Sequence, residues 1–151
     1  MRTLSKGKSL DVSFGPLNFT PRAFEIFRKH SFARFGSDDD SLESFLFHFY
    51  TPSCPGLQIS ISLDGVLVGV GWLDQGEISL SSVYFCFDPN YSDLSLGTYS
   101  ILAGLEYARE QGLQWNYLGY VVEGNRSTVY KNNFRPHEYF DWGTGKWQRQ
   151  Q

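Results

Sequence analysis

Between Leu57 and Val122 the spacing of apolar residues changes period twice, which restricts the chain to a mixed sheet with helices packed on it. Leu57-Gln58-Ile59-Ser60-Ile61-Ser62-Leu63 alternates with period two, Asp64-Gly65 suits a tight hairpin, and Val66 to Leu73 returns. A third strand is predicted over Glu77 to Phe87, rich in β-branched and aromatic residues, and Asp88-Pro89 stops it. From Ser95 the period lengthens, and Leu96, Tyr99, Leu102, Ala103, Leu105 and Ala108 suit a helix that Gly112 ends. Leu113 to Val122 then reads as a strand. Because it follows a strand and a crossover helix, it is expected to lie parallel to Glu77 to Phe87.

The flanks are read the same way. Thr20 as N-cap and Pro21 at the first helical position start a helix whose apolar face is Phe24, Phe27 and Phe32. A second helix is predicted from Asp40, with Glu43 completing a capping-box-like pair and Leu42, Phe45, Leu46 and Phe49 at helical spacing. Asn125 can cap a short helix through Lys131, and His137 to Trp142 followed by Gly143-Thr144-Gly145 suggests a closing strand and turn. Residues 1–18 read as a linker-like extension and 19–151 as one domain.

With 41% apolar and 17% aromatic residues, 151 residues are enough to bury a core. No apolar run approaches the roughly 20 residues of a membrane helix and no hydrophobic leader is visible, so a cytoplasmic protein without membrane contact is expected. Cys54 and Cys86 have neither metal-ligand nor disulfide spacing, and His30, His48 and His137 lie far apart, so no metal is expected. The net charge of −3 conceals segregation: residues 1–36 carry +5, residues 37–110 carry −10 and the remainder +2. If the two ends meet, they form a basic face suited to phosphate; scattered, solvated charge is the alternative.

Four ordered motifs occupy Ser81 to Pro136: SSVYFCFDP, SLGTYSIL, LGYVVEG and YKNNFRP, with Gly145-Lys146-Trp147 near the end. Together they resemble the C-terminal domain of the arginyl and leucyl aminoacyl-tRNA protein transferases, closest to the bacterial leucyl branch, whose pattern runs roughly SSVYxFFDP, SLGTYxIL, YLGYxIEG, KMxYKxxFRP and G-x-W. The resemblance implies an α/β, GNAT-like acyltransferase fold, a mixed sheet whose two central parallel strands splay apart. It also implies transfer of an aminoacyl group from the 3′ end of a charged tRNA to an amine acceptor, a protein N-terminus or a small amine-bearing molecule, with no cofactor. The donor ester is already activated, so the protein need mainly hold the amine against the carbonyl and support the oxyanion. An α-amine with a pKa of about 7.7 to 8.0 needs little help to become a nucleophile.

Two other functions stay open: an acyl-CoA N-acyltransferase of the same fold, and a domain that binds RNA or a partner without turnover. Acyl-CoA enzymes of this fold cradle pyrophosphate on a loop Q/R-x-x-G-x-G/A before the crossover helix. Here Tyr91-Ser92-Asp93-Leu94-Ser95-Leu96-Gly97-Thr98 carries one glycine and an acid, which disfavours coenzyme A.

Within this frame Glu123 is a candidate base or ammonium ligand, or a surface cap before Gly124. Tyr120 is a candidate donor near the ribose oxygen; it and Tyr84 face the cleft or the core according to register. Ser82 can orient the aminoacyl amine or only make a strand-edge hydrogen bond, and Asp88 can bind an ammonium or simply form the turn with Pro89. Ser95, with Gly97 after it, is an N-cap first and a phosphate contact second. Tyr130 between Arg126, Lys131 and Arg135 offers a stacking face and phosphate contacts for a single-stranded CCA end, against ordinary helix-surface solvation. Two departures stand out: Ser127-Thr128 occupies the place of the family's Lys-Met, and the family's N-terminal region with its paired cysteines has no counterpart. Both leave the acceptor open.

Overall fold

The structure is a computed structural model that describes residues 2–3, 9–36 and 40–150. In chain order its elements are β1 (Arg2–Thr3), β2 (Ser9–Gly15), α1 (Pro21–Phe35), α2 (Leu42–Tyr50), β3 (Gly56–Leu63), β4 (Val66–Gln75), β5 (Ser79–Phe87), a 3-10 turn (Pro89–Leu94), α3 (Leu96–Glu110), β6 (Trp115–Tyr117), α4 (Arg126–Val129), a second 3-10 turn (Tyr130–Asn133), β7 (His137–Asp141) and β8 (Lys146–Gln150). They form two compact units, Met1–Tyr117 and Leu118–Gln151.

The first unit is built on one sheet in the order β1-β2-β3-β4-β5-β6, antiparallel throughout except for β6, which is parallel to β5. Alternation along the strands divides its core in two. Leu57, Ile59, Ile61, Leu73 and Leu80 pack with Leu96, Tyr99 and Ala103 of α3. Val70, Trp72 and Cys86 pack with Ala23 and Ile26 of α1 and Phe45 of α2. Gly69 and Gly71 are needed where they stand: a Cβ on either would come within 2.9 Å of the Phe85 ring. Two bulges interrupt the ladders, and the second matters for the site. Trp72 faces Tyr84 and Leu73 faces Ser82, so Val83 has no partner on β4.

Several expectations hold. Thr20 caps α1 by accepting from the Ala23 N–H at 3.1 Å, Pro21 is its first residue, and Gly36 closes it in the left-handed region. The Asp64-Gly65 hairpin forms, and Asn125 caps α4 by accepting from the Ser127 N–H at 3.0 Å.

Others are corrected. Within the expected linker-like segment 1–18, residues 9–15 are not linker-like, because Ser9–Gly15 pairs with β3 over six residues from Leu10 to Gly15 and buries Leu10 completely; residues 4–8 lie outside the described residues. The second helix begins at Leu42, since the Ser41 hydroxyl, not Asp40, takes the Ser44 N–H. Along α1 the buried stripe is Ala23, Ile26 and His30, with Phe24 and Phe27 partly covered, while Phe32 is 59% exposed. Ser95 holds the cap position of α3 but sits at φ 53° and makes no capping bond with its side chain. The third strand starts at Ser79, after a turn closed by the Gly76 N–H to the Ser79 carbonyl at 2.8 Å.

The largest correction concerns Leu113 to Val122, where only Trp115–Tyr117 is strand. Gly119 at φ 79° breaks the extended backbone that a longer strand requires. The second unit then consists of the loop from Leu118 to Asn125, α4 with its 3-10 continuation, and the β7–β8 hairpin. Asp141 organises that hairpin: its carboxylate accepts from the Gly143 N–H (2.8 Å), the Thr144 N–H (3.3 Å) and Gln148 Nε2 (2.7 Å).

Candidate active site

The short parallel ladder creates the first element of the site. β5 and β6 pair only at Ser79 with Trp115, Leu80 with Asn116 and Ser81 with Tyr117, yet β5 continues to Phe87. Among the described residues no strand covers the edge of Ser82 to Phe87 that faces away from β4. Backbone N–H and C=O groups there lie outside any ladder, and such groups can bind a carbonyl. The bulge at Val83, whose side chain is 49% exposed, falls just past the last parallel pair. The parallel pair expected from the sequence is thus present over three residues, after which β6 ends.

Register then decides which β5 residues face which way. Ser82, half-buried, lies opposite Leu73 on the α3 side. Tyr84 lies opposite Trp72 on the α1–α2 side, where its ring packs at 5.5 Å from Phe49 and 6.0 Å from Phe27. Burial pushes the Tyr84 phenol above its usual range. The sheet thus sends Ser82 and Tyr84 to opposite faces, and Tyr84 contributes to a core.

Asp88 has a structural role at the end of β5. Its side chain is 3% exposed, Oδ2 receives Arg22 Nη2 at 2.7 Å and Lys29 Nζ at 3.5 Å, and Oδ1 receives the Asn90 N–H at 3.1 Å. Burial alone would raise its pKa, but these hydrogen bonds and the two cations outweigh it and hold the carboxyl below the ordinary value. Its lone pairs are taken by the fold's own cations and by the 3-10 turn that feeds α3. At the start of α3, Ser95 is exposed and Gly97 half-buried, with the Gly97 carbonyl accepting from Ser100 Oγ at 2.8 Å.

In the second unit the LGYVVEG segment is a loop held from within. Lys131 Nζ donates to the Tyr120 carbonyl at 3.2 Å. The Thr128 hydroxyl accepts from the Val122 N–H at 3.0 Å and approaches the Val122 and Asn125 carbonyls at 3.3 and 3.2 Å. Ser127 Oγ donates to Asn125 Oδ1 at 2.6 Å. Thr128 and Lys131 therefore pin this loop. Tyr120 is 74% exposed, Glu123 is exposed in the turn closed by Asn125 N–H to Val122 O, and neither lies on a strand. Tyr130 and Lys131 are half-buried and Arg135 is exposed before a cis proline. The side chain of Arg126 lies outside what the structure describes.

One feature of the site has no local sequence signature. Beside the β5 bulge, on the α1–α2 face, a cavity of about 180 Å³ is lined by Leu17, His48, Phe49, Trp72, Asp74 and Val83 among others. Trp72 is 3% exposed and stacks on Phe49 at 4.3 Å; its indole N–H lies near the Tyr50 hydroxyl but has no partner of hydrogen-bond geometry. The lining comes from five separated segments, so no local motif could announce it.

The comparisons with known proteins agree with this architecture. Residues 22–141 match the family model described as arginine-tRNA-protein transferase, C terminus. An aspartate/glutamate leucyltransferase of Hahella chejuensis is 34% identical over 141 residues, 89% of this chain and 59% of that protein. One of Aeromonas hydrophila is 45% identical over 92 residues, 61% of this chain and 39% of that protein. The chain thus spans about half the length of the curated relatives it matches. Among solved structures, the ribosomal-protein-S18-alanine N-acetyltransferase of Escherichia coli superposes with a TM-score of 0.61 at 10% identity, covering 91% of this chain and 88% of that one. An aminoglycoside acetyltransferase from an uncultured soil metagenomic sample, in complex with sisomicin, gives 0.61 at 14% identity, covering 84% and 88%. Those likenesses make the fold that of the GNAT acyltransferases. With a parallel ladder of three pairs at the sheet edge and a family match spanning most of its length, this chain belongs to the family of the arginine-tRNA-protein transferase C-terminal domain.

Proposed function

We propose that this protein transfers an aminoacyl group from charged tRNA to the α-amine of a protein or peptide acceptor. The amine nitrogen attacks the ester carbonyl carbon, the bond from that carbon to the ribose 3′ oxygen breaks, and an amide replaces the ester. The proton lost by the amine ends on the ribose oxygen. The observation that carries this reading is the family match over residues 22–141 on a sheet whose parallel ladder ends beside the β5 bulge. An unladdered edge beside that bulge suits a carbonyl that becomes an oxyanion. The names of the relatives favour leucyl-tRNA as donor and an N-terminal aspartate or glutamate as acceptor. Charged tRNA is a cytoplasmic molecule, and no helix among the described residues is long and apolar enough to cross a membrane.

Within the reading, Glu123 receives the amine proton or binds the incoming ammonium, and Tyr120 hydrogen-bonds the ribose leaving oxygen. Tyr130 stacks on a base of the CCA end while Lys131, Arg135 and Arg126 meet its phosphates. Ser82 contacts the donor from the α3 side of β5. Ser95 and Gly97 contact a phosphate at the start of α3. Their turn, with a left-handed Ser95 and an acidic Asp93, is a poor cradle for the pyrophosphate of coenzyme A.

The test is to incubate the protein with leucyl-tRNA labelled in the leucine and a peptide beginning with aspartate, in parallel with labelled acetyl-CoA. Label in an alkali-stable amide on the peptide from tRNA alone is the expected result. Label from acetyl-CoA alone would replace this reading with acyl-CoA transfer, and tight tRNA binding without product would leave a binding domain.

A further inference from the structure

The cavity beside the β5 bulge has the composition of a site for an amino acid that is apolar in its side chain and cationic at its α-nitrogen. Phe49, Trp72, Leu17 and Val83 supply its aromatic and aliphatic walls, and Asp74 supplies its carboxylate. Asp74 is half-buried and, among the described residues, makes no ion pair. Its neighbour of note is the Cys54 thiol, whose pKa its hydrogen bond and charge push up, so that thiol stays neutral and leaves the carboxylate's charge uncompensated. Among the described residues no Lys or Arg lines the cavity. His48 does, with Nδ1 held at 2.7 Å by the Ser44 carbonyl of its own helix. The buried, unpartnered indole N–H of Trp72 belongs to the same wall.

Location adds a second argument. Val83 belongs to both the cavity wall and the bulge where the unladdered edge of β5 begins. Val83 thereby joins the cavity to that edge. About 180 Å³ accommodates a branched aliphatic side chain. Gly56 tightens the opposite wall: a Cβ there would stand 2.9 Å from Leu17 Cδ1, so Leu17 packs directly on the backbone.

We infer that this cavity binds the aminoacyl moiety of the donor, with Asp74 on its α-ammonium and Phe49, Trp72 and Val83 around an aliphatic side chain. The inference rests on the aminoacyl transfer proposed above. An acceptor beginning with aspartate or glutamate would bring a second negative charge beside Asp74 with no Lys or Arg to answer it. An aminoacyl ester of leucine brings one positive charge and an apolar branch.

The experiment uses stable amides of 3′-amino-3′-deoxyadenosine acylated with leucine, with 4-methylpentanoic acid (leucine without its amine), with glycine or with aspartic acid, titrated calorimetrically into the full chain. The leucyl compound should bind most tightly. Removing its amine, or its isobutyl group, should each weaken binding about 10-fold to 100-fold. Asp74→Asn should weaken the leucyl compound by a similar factor and leave the 4-methylpentanoyl compound unchanged, with an unchanged circular dichroism spectrum. Equal affinity for the leucyl and 4-methylpentanoyl compounds, which needs no variant, overturns the inference. So do an equal effect of Asp74→Asn on both, preference for the aspartyl compound, or no binding of any analogue. Failure of peptide transfer with this binding pattern intact removes the reaction and keeps the cavity; normal transfer by Asp74→Asn removes the cavity alone.

Discussion

Asp88→Asn tests how the end of β5 is held, and its magnitude follows from the carboxylate's surroundings. The wild-type side chain is 3% exposed, bonded to Arg22 at 2.7 Å, near Lys29 at 3.5 Å, and accepts the Asn90 N–H. Removing one partner of a fully buried ion pair costs roughly 3–5 kcal/mol. Here Arg22 and Lys29 are 29% and 43% exposed and both also bond Glu25, so solvent and Glu25 absorb part of the loss. The expected destabilisation at pH 7 is therefore about 2–3 kcal/mol, read as a lower urea midpoint at unchanged slope. The pH dependence has a definite sign. A carboxyl whose folded pKa lies below its unfolded value of 3.8 stabilises the fold above that value, and the contribution is lost as pH falls through the folded pKa. The gap between wild type and Asp88→Asn should thus stay constant from pH 7 to about 5 and narrow below 3.8. A variant within about 0.5 kcal/mol of wild type at pH 7, or a gap that persists undiminished at pH 3, would refute the assignment of Asp88 to the fold.

Three more substitutions probe separate parts of the molecule. Thr128→Val removes the hydroxyl that pins Val122 and should lower the turnover number for transfer about 10-fold while costing about 1 kcal/mol in global stability; Thr128→Ser should restore turnover, measured by labelled-peptide formation. His30 is buried, with Nε2 unpartnered, and burial lowers its pKa, so the folded state disfavours the proton that the unfolded chain takes up near pH 6.5. Stability should therefore fall as pH drops below 6.5, by up to about 1.4 kcal/mol per unit, and His30→Phe should flatten that slope in urea titrations at pH 7 and 5. Lys131→Ala with Arg135→Ala should weaken charged-tRNA binding at low salt and reduce the salt slope by about 1 to 2, in a filter-binding series from 50 to 200 mM.

Local chemistry made most of the fold legible, and the misreadings have physical causes. The Thr20-Pro21 cap, the Asp64-Gly65 hairpin and the Asn125 cap are decided by residues within a few positions of one another. Ser9–Gly15 was hidden because a strand bordered by polar residues shows its pairing only with Ile61 and Ile59 in place. Leu113 to Val122 exceeds the true strand because Tyr, Val and Leu satisfy strand propensity, whereas a left-handed Gly119 and the pins from Lys131 and Thr128 decide the backbone. Similarly, SSVYF gave no hint that Ser82 and Tyr84 leave the sheet on the sides they do, since the bulge at Val83 sets that phase.

The charge segregation shows how a linear count changes meaning once folded. Residues 1–36 carry an excess of five positive charges, which suggested a surface for phosphate. Yet Arg22 and Lys29 both close on Glu25 and Asp88, while the guanidinium groups of Arg28 and Arg34 lie 5.9 and 5.7 Å from the ring centroids of Phe24 and Phe35. Two of the described cations of that segment are thus tied into ion pairs that hold α1 to the end of β5. In the second unit, Lys131 donates to the Tyr120 carbonyl, and Arg135 precedes a proline at an exposed turn. A cation already facing carboxylates releases few counterions when a polyanion arrives, because its charge is largely compensated beforehand. Substitution of Arg22 should therefore register in stability before it registers in the salt slope of tRNA binding.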